Sequence, residues 1–400
     1  MRYLVLLLTL VAAPAGAQAP TAEEIRRTLA QISEITGFAV KRPVHSKAIT
    51  RQEWKEWLDV QIRENVKPSE IYAEETALKL FGLAPRDFNL REATVALLGE
   101  QAAAVYDHRR KQMLFVEGAS PALTANAVLV HELAHALADQ HFDMKRFLEK
   151  GPATGEAQLA RLAAVEGQAT WIMIEAQLLA SGASLRKRGE ALQTMMPAMR
   201  NMAAGAYPVF DKSPLYLRET LLFPYTAGVL FQQAVVEKLG REAFAAVLRD
   251  PPVSAQQVLH PEMYFARVEP TRPPLPELER IKEYSRLTDG IAGELDFQIL
   301  FTQYSSEADA RRAAPAWRGG TFEVWEHRTA KNAVLRWATE WSGEDAAREV
   351  MRLYVKVLEG KLERIGFTAN RPDLIEGESA QGRFRVQRTG NRVQAVEGLR

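Results

Sequence analysis

The stretch Val130-His131-Glu132-Leu133-Ala134-His135-Ala136-Leu137 decides how this chain is read. On a helix, residues four apart stack on one face, so His131 and His135 aim their ring nitrogens at a common point. Neutral imidazole is a good zinc ligand, and two of them leave room for a third protein group and a water. A neighbouring carboxylate, here Glu132, can then take a proton from that water. The spacing is the H-E-x-x-H of zinc hydrolases. Residues 126–140 contain no Gly or Pro and are rich in Ala, Leu and Val, which predicts a mostly buried helix. Two imidazoles and a carboxylate buried together without a metal would form a costly polar cluster.

Three residues compete to be the third ligand. Asp139 follows His131 by eight positions, roughly 12 Å along a helix axis, too far for the same ion; its expected role is to support a ligand from behind. His141 stands six residues after His135, the third-histidine position of H-E-x-x-H-x-x-G-x-x-H, but Ala138 occupies the place of the glycine at which that pattern leaves the helix. Glu166 lies in Ala163-Ala164-Val165-Glu166-Gly167-Gln168-Ala169-Thr170, on a second helix expected to pack antiparallel to the first. Its carboxylate would complete a His2Glu set with one position open for water. Glu166 is the preferred third ligand and His141 the alternative.

The pairing of His131-Glu132-Leu133-Ala134-His135 with a later helical glutamate resembles the gluzincin clan of zinc metallopeptidases. With Phe223-Pro224-Tyr225-Thr226-Ala227-Gly228 and Leu259-His260-Pro261-Glu262-Met263-Tyr264, the region from Ala102 to Pro270 also looks like a group of exported bacterial proteins. The resemblance implies a zincin-like α-helical core that binds Zn2+. It departs from the gluzincin pattern four residues after Glu166, where Thr170 replaces the usual acidic residue. Tyr225 and His260, both in the resembling segments, are the candidate donors to a developing oxyanion.

Arg2, the apolar run Leu4 to Ala13 and Ala15-Gly16-Ala17 read as a signal peptide over residues 1–17, which predicts an exported, periplasmic or secreted protein. No later stretch is long enough to span a bilayer, so no stable transmembrane segment is expected after signal removal. There is no cysteine, so stability must come from packing. With 47% hydrophobic and 25% charged residues and a net charge of +1, the chain reads as globular and offers no basic field for nucleic acid. The expected partner is a peptide or protein substrate.

Thr21 with Glu24 and Thr50 with Glu53 have capping-box spacing and open helical runs. Two short β-prone segments, 102–106 and 112–116, predict a hairpin directly before the motif helix. Helical patterns continue over 155–179, 184–202, 215–239 and 241–248. Pro270 to Pro276 then mark a boundary. Beyond it, strand-like 321–327 and 333–341, a helix from Ser342 to Gly360, and a hairpin over 383–396 predict an antiparallel sheet. The expected fold is a mainly α zincin-like metallopeptidase core (residues 18–272) with a short β-hairpin before the active-site helix, and a smaller C-terminal α+β domain (273–400) with an antiparallel sheet. The expected function is zinc-dependent peptide-bond hydrolysis with Glu132 as general base. The alternatives are a non-catalytic envelope assembly or chaperone-like protein braced by a structural metal, and an amidase acting on cell-wall peptides.

Overall fold

The structure is a computed structural model. It describes residues 19–101, 104–117, 125–149, 154–187, 189–203, 207–278 and 281–399. The expected signal peptide lies outside the described residues. Among them, no helix is long and apolar enough to cross a membrane.

The helices of the first part are α1 (Ala22–Thr36), α2 (Arg51–Asn65), α3 (Pro68–Phe81), α4 (Leu90–Gln101), α5 (Ala125–Phe142), α6 (Met144–Glu149), α7 (Gly155–Ala180), α8 (Glu190–Ala203), α9 (Pro208–Lys212), α10 (Leu215–Leu239), α11 (Ala243–Arg249), α12 (Ala255–Leu259) and α13 (Pro261–Phe265). Both expected capping boxes form: the Glu24 and Glu53 amides donate to the hydroxyls of Thr21 and Thr50, and each glutamate accepts from its threonine amide. Helix α7 is buried without a break from Ala163 to Ala176, as expected of a helix at the centre of a core. It packs between α5 and α10, with α1 against both α5 and α7.

The expected hairpin is present as β2 (Ala104–Asp107) and β3 (Gln112–Val116), but it belongs to a three-stranded sheet. Strand β1 (His45–Ile49) pairs parallel to β3, and the order is β1-β3-β2. That leaves β2 at an edge, packed on α5.

The second part holds β4 (Tyr284–Gly290), α14 (Glu294–Tyr304), α15 (Glu307–Ala313), β5 (Trp317–His327), β6 (Ala333–Trp341), α16 (Glu344–Lys361), β7 (Gly366–Arg371), β8 (Leu374–Ser379), β9 (Gly382–Thr389) and β10 (Arg392–Leu399). Its strands form one antiparallel sheet in the order β4-β5-β6-β10-β9-β8-β7. Helix α16 packs on β6, β9 and β10 with α14 beside it, while α3 from the first part packs on β4, β5 and β6. Trp317, Trp337 and Trp341 are core residues; Trp325 is half-buried.

One apolar core runs from α1, α5, α7 and α10 into α14, α16 and the large sheet. A buried ion pair reinforces this continuity. Lys361 Nζ lies 2.7 Å from Glu397 Oε2 and donates to the Leu80 carbonyl at the end of α3 (2.9 Å), while Glu397 Oε1 accepts from Tyr354 (2.6 Å) and Trp337 (3.1 Å). Such a pair adds little net stability, but removing one partner strands the other charge at a cost of about 3–5 kcal/mol.

A second polar cluster joins α7 to α14. Glu156, in the first turn of α7, is buried and accepts from the Ala255 amide of α12 (2.8 Å). Its carboxyl group lies against Gly293, where any Cβ would fall 2.3 Å from Oε2. Asp296, also buried, accepts from the Gly293 amide (2.8 Å), and Glu294 takes its hydrogen bond from His260 (2.8 Å). Burial, reinforced by Asp296, pushes Glu156 up to about 8, and burial pushes Asp296 up to about 6. Both folded values exceed the ordinary ones of 4.5 and 3.8, so the folded state holds protons that the unfolded chain releases. This contribution is full below the ordinary values and is lost as pH rises through about 6 and then about 8. Thermal midpoints measured from pH 5 to 9 should therefore fall, and Glu156→Gln should flatten that slope; an unchanged slope would refute the assignment.

Candidate metal centre

Helix α5 is Ala- and Leu-rich and buried without a break from Ala127 to Gln140, so its polar residues must find partners within the protein. His131, Glu132 and His135 are 0%, 1% and 3% exposed, and Glu166 of α7 is 0% exposed. Packing of Phe142 and Ala138 with Leu162 and Val165 sets α5 antiparallel to α7, as the sequence predicts, and brings Glu166 opposite the histidine pair. Glu166 Oε2 lies 3.0 Å from His131 Nε2 and 3.3 Å from His135 Nε2, and the two Nε2 atoms are 3.0 Å apart. Among the described residues, these three form the one His/Cys/Asp/Glu group able to hold a metal ion.

The spacing fits such an ion. Tetrahedral bonds of about 2.0–2.1 Å put neighbouring donor atoms about 3.3 Å apart, close to the three separations here. A hydrogen-bonded trio without an ion would be poorly satisfied, because two ring nitrogens face each other as well as one carboxylate oxygen, and Glu166 Oε1 is buried and partnerless among the described residues. Burial opposes ionisation of Glu166, yet the flanking His135 and His131 rings outweigh it and hold its carboxyl down to about 2. Burial also lowers His131, whereas at His135 the Glu166 charge overcomes burial and the net shift is upward. Glu132 is pushed by burial up to about 8, against the opposing pull of His135 and the Tyr106 amide. The anion therefore sits at Glu166, and burial favours the neutral form of the Glu132 carboxyl beside it.

Close helix packing delivers Glu166. At Gly167 a Cβ would fall 2.2 Å from the Gly228 carbonyl, and at Gly228 it would fall 2.4 Å from the Ala163 carbonyl. Backbone therefore meets backbone where α7 crosses α10. Trp171 Nε1 donates to Gln233 Oε1 (2.6 Å) further along, so α7 and α10 run in the same direction. The contact also brings in Tyr225, whose ring centroid is 6.2 Å from that of His131.

The other expected site residues go elsewhere. His260 bonds Glu294 and takes part in the α7–α14 junction, because the α12–α13 turn faces α14. His141 remains within α5, which continues to Phe142. Its Nε2 pairs with the Ala39 carbonyl (2.8 Å), and its ring stacks on Phe38. Asp139 does not join the histidine rings; its partners are Tyr106, Lys111, Arg42 and the Met144 amide. At about 100° per residue it falls on the Glu132 side of α5, not on the histidine stripe. There it accepts from Tyr106 OH (2.7 Å), Lys111 Nζ (2.8 Å to each oxygen) and the Met144 amide (2.9 Å). Sequence reasoning missed Tyr106, whose amide donates to Glu132 Oε2 at 2.5 Å. Its signal was its place in the hairpin just ahead of the motif.

A sequence family described as "Domain of unknown function (DUF8575)" matches residues 279–400, a segment that excludes the metal-ligand trio. No curated protein and no solved structure matches the chain.

Two measurements check this centre. Metal analysis should find one equivalent of a divalent ion in the wild type and in His141→Ala, but none in Glu166→Ala; metal retained without Glu166 would refute the trio. Gly228→Ala forces the Ala163 and Gly228 backbones apart. It should cost about 1–3 kcal/mol in denaturant unfolding and weaken metal uptake as Glu166 withdraws; wild-type values for both would show that the crossing does not position the carboxylate.

Proposed function

We propose that this protein is a zinc-dependent peptidase of zincin-like architecture. The observation that carries the reading is the convergence of His131, His135 and Glu166 at tetrahedral spacing, with Glu132 beside them on the same helix. Two imidazoles and one carboxylate suit zinc and leave one vertex for a water. A bound zinc ion would supply Lewis acidity toward a water and a scissile carbonyl. Glu132 would accept the proton that the water loses, through its unpartnered Oε1, as oxygen bonds to the carbonyl carbon. When the C–N bond breaks, Glu132 would return that proton to the departing amine. Tyr225, next to His131, is the candidate donor to the developing oxyanion.

The near-complete burial of all four side chains favours a second reading, in which the ion only braces α5 against α7. Against it stand the donor count, three where a structural zinc takes four, and an adjacent carboxylate that such a site does not need. Glu132→Gln separates the readings. On a quenched fluorescent peptide library it should lower cleavage by about 10²–10⁴ while zinc content stays at one equivalent. Undiminished cleavage would remove Glu132 from the chemistry, and a wild type that cleaves nothing would leave the brace.

A further inference from the structure

Glu132 and Asp139 are seven residues apart on α5, close to two full turns, so both acids project from one side of the helix at heights about 10 Å apart. A single residue of the neighbouring strand spans them. Tyr106 donates its backbone amide to Glu132 Oε2 (2.5 Å) and its phenol hydroxyl to Asp139 Oδ2 (2.7 Å). We propose that Asp139 is a positioning residue for Glu132: by gripping the Tyr106 side chain it fixes the height of strand β2 on α5, and so places the amide that holds one oxygen of the Glu132 carboxylate.

The grip is strong and dry. The Asp139 side chain is fully buried, and its charge is met by Lys111 Nζ on both oxygens and by Arg42 at 3.7 Å. The Met144 amide also donates to it, so the carboxylate is enclosed by donors from β1's approach, the hairpin and the α5–α6 turn. Lys111 reaches it from a left-handed backbone conformation (φ 56°), which disfavours any residue but glycine by roughly 1–2 kcal/mol. The ion pair with Asp139 offsets that cost and holds the hairpin turn beneath the helix. Tyr106 is buried, and burial together with Asp139 raises its phenol far above the usual range, so the hydroxyl keeps its proton.

The arrangement matters because a carboxylate with both oxygens free can rotate about its last bond. Tethering Oε2 to a fixed amide leaves Oε1 as the oxygen that handles the proton, in one orientation. If strand β2 slides along α5, both Tyr106 bonds lengthen together. Asp139 thus acts on the base through the strand, not on the histidines through a ligand.

The inference rests on Glu132 being the base, and the test separates the two claims. Zinc-loaded protein labelled with 15N-tyrosine is compared as wild type, Asp139→Asn and Tyr106→Phe, with Trp57→Phe as a control that loosens the same hairpin through its Asp107 bond and its packing on the outer face of the strands, away from Asp139. In Asp139→Asn the Tyr106 amide proton should shift upfield, and its deuterium exchange should accelerate about tenfold. The Tyr106→Phe amide, followed with 15N-phenylalanine, should do the same. On the peptide library, kcat should fall about tenfold or more in both variants with KM and zinc content unchanged. Trp57→Phe should lower the melting temperature but leave the amide and kcat alone. A residue-106 amide unmoved in both variants, or moved equally by Trp57→Phe, overturns the proposal. If the wild type cleaves nothing, the base assignment fails while the amide readouts still decide the positioning. Should Asp139→Asn not fold, Tyr106→Phe, which removes a single hydroxyl, carries the test.

Discussion

A fully buried carboxylate held between two imidazoles is the interaction on which this molecule turns. The ionisation of Glu166 survives burial because the His135 and His131 rings face it. An unpaired charge there would be strongly destabilising. The pairing fixes α7 against α5, and the glycine-on-glycine crossing then fixes α10 against α7. Three helices are thus located by a few polar atoms and two missing side chains, while the apolar core supplies most of the burial.

The site reads as two linked layers. The first is the trio His131, His135 and Glu166, which could hold a metal ion and whose donor atoms have separations that a coordination shell needs. The second is the hairpin, where Tyr106 joins Glu132 to Asp139. Among the described residues, His131 Nδ1 has none of the carboxylate or carbonyl partners that metal-binding histidines commonly keep, and the Thr170 hydroxyl, where an acidic residue stands in the gluzincin pattern, is likewise buried without a partner. The orientation of His131 rests on its Nε2 contacts with Glu166 and His135 and on ring packing, with Tyr225 as one neighbour.

Much of this was legible from residue order alone. His131, His135 and Glu132 stood out by helical spacing, and Glu166 by a charge set among the small and apolar Ala163, Ala164, Val165 and Gly167. The capping boxes of α1 and α2 and the strands and helix of the C-terminal part also followed local rules. What escaped notice depended on distant partners. Strand β1, His-Ser-Lys-Ala-Ile, has little β-branched character and forms because β3 offers it an edge. Strands β7 and β8 carry Gly and charged residues and lie toward the exposed margin of their sheet. Asp139 follows His135 by four residues, the same spacing as within the histidine pair. The drift of about 40° that each such step accumulates carries it to the face of Glu132 instead. His260 lay in a resembling segment, but its distance in space from α5 was not encoded in any short pattern.

The Lys361–Glu397 pair has a consequence for modularity. The ammonium belongs to the segment shared with a wider sequence family, yet one of its acceptors is a carbonyl of α3, far outside that segment. Grafted onto a different scaffold, the sheet would carry an interior cation lacking one of its acceptors, unless the new host offered a helix end in the same place. Exchange of this unit between proteins is therefore constrained less by its linker than by whether the recipient can supply one correctly aimed oxygen.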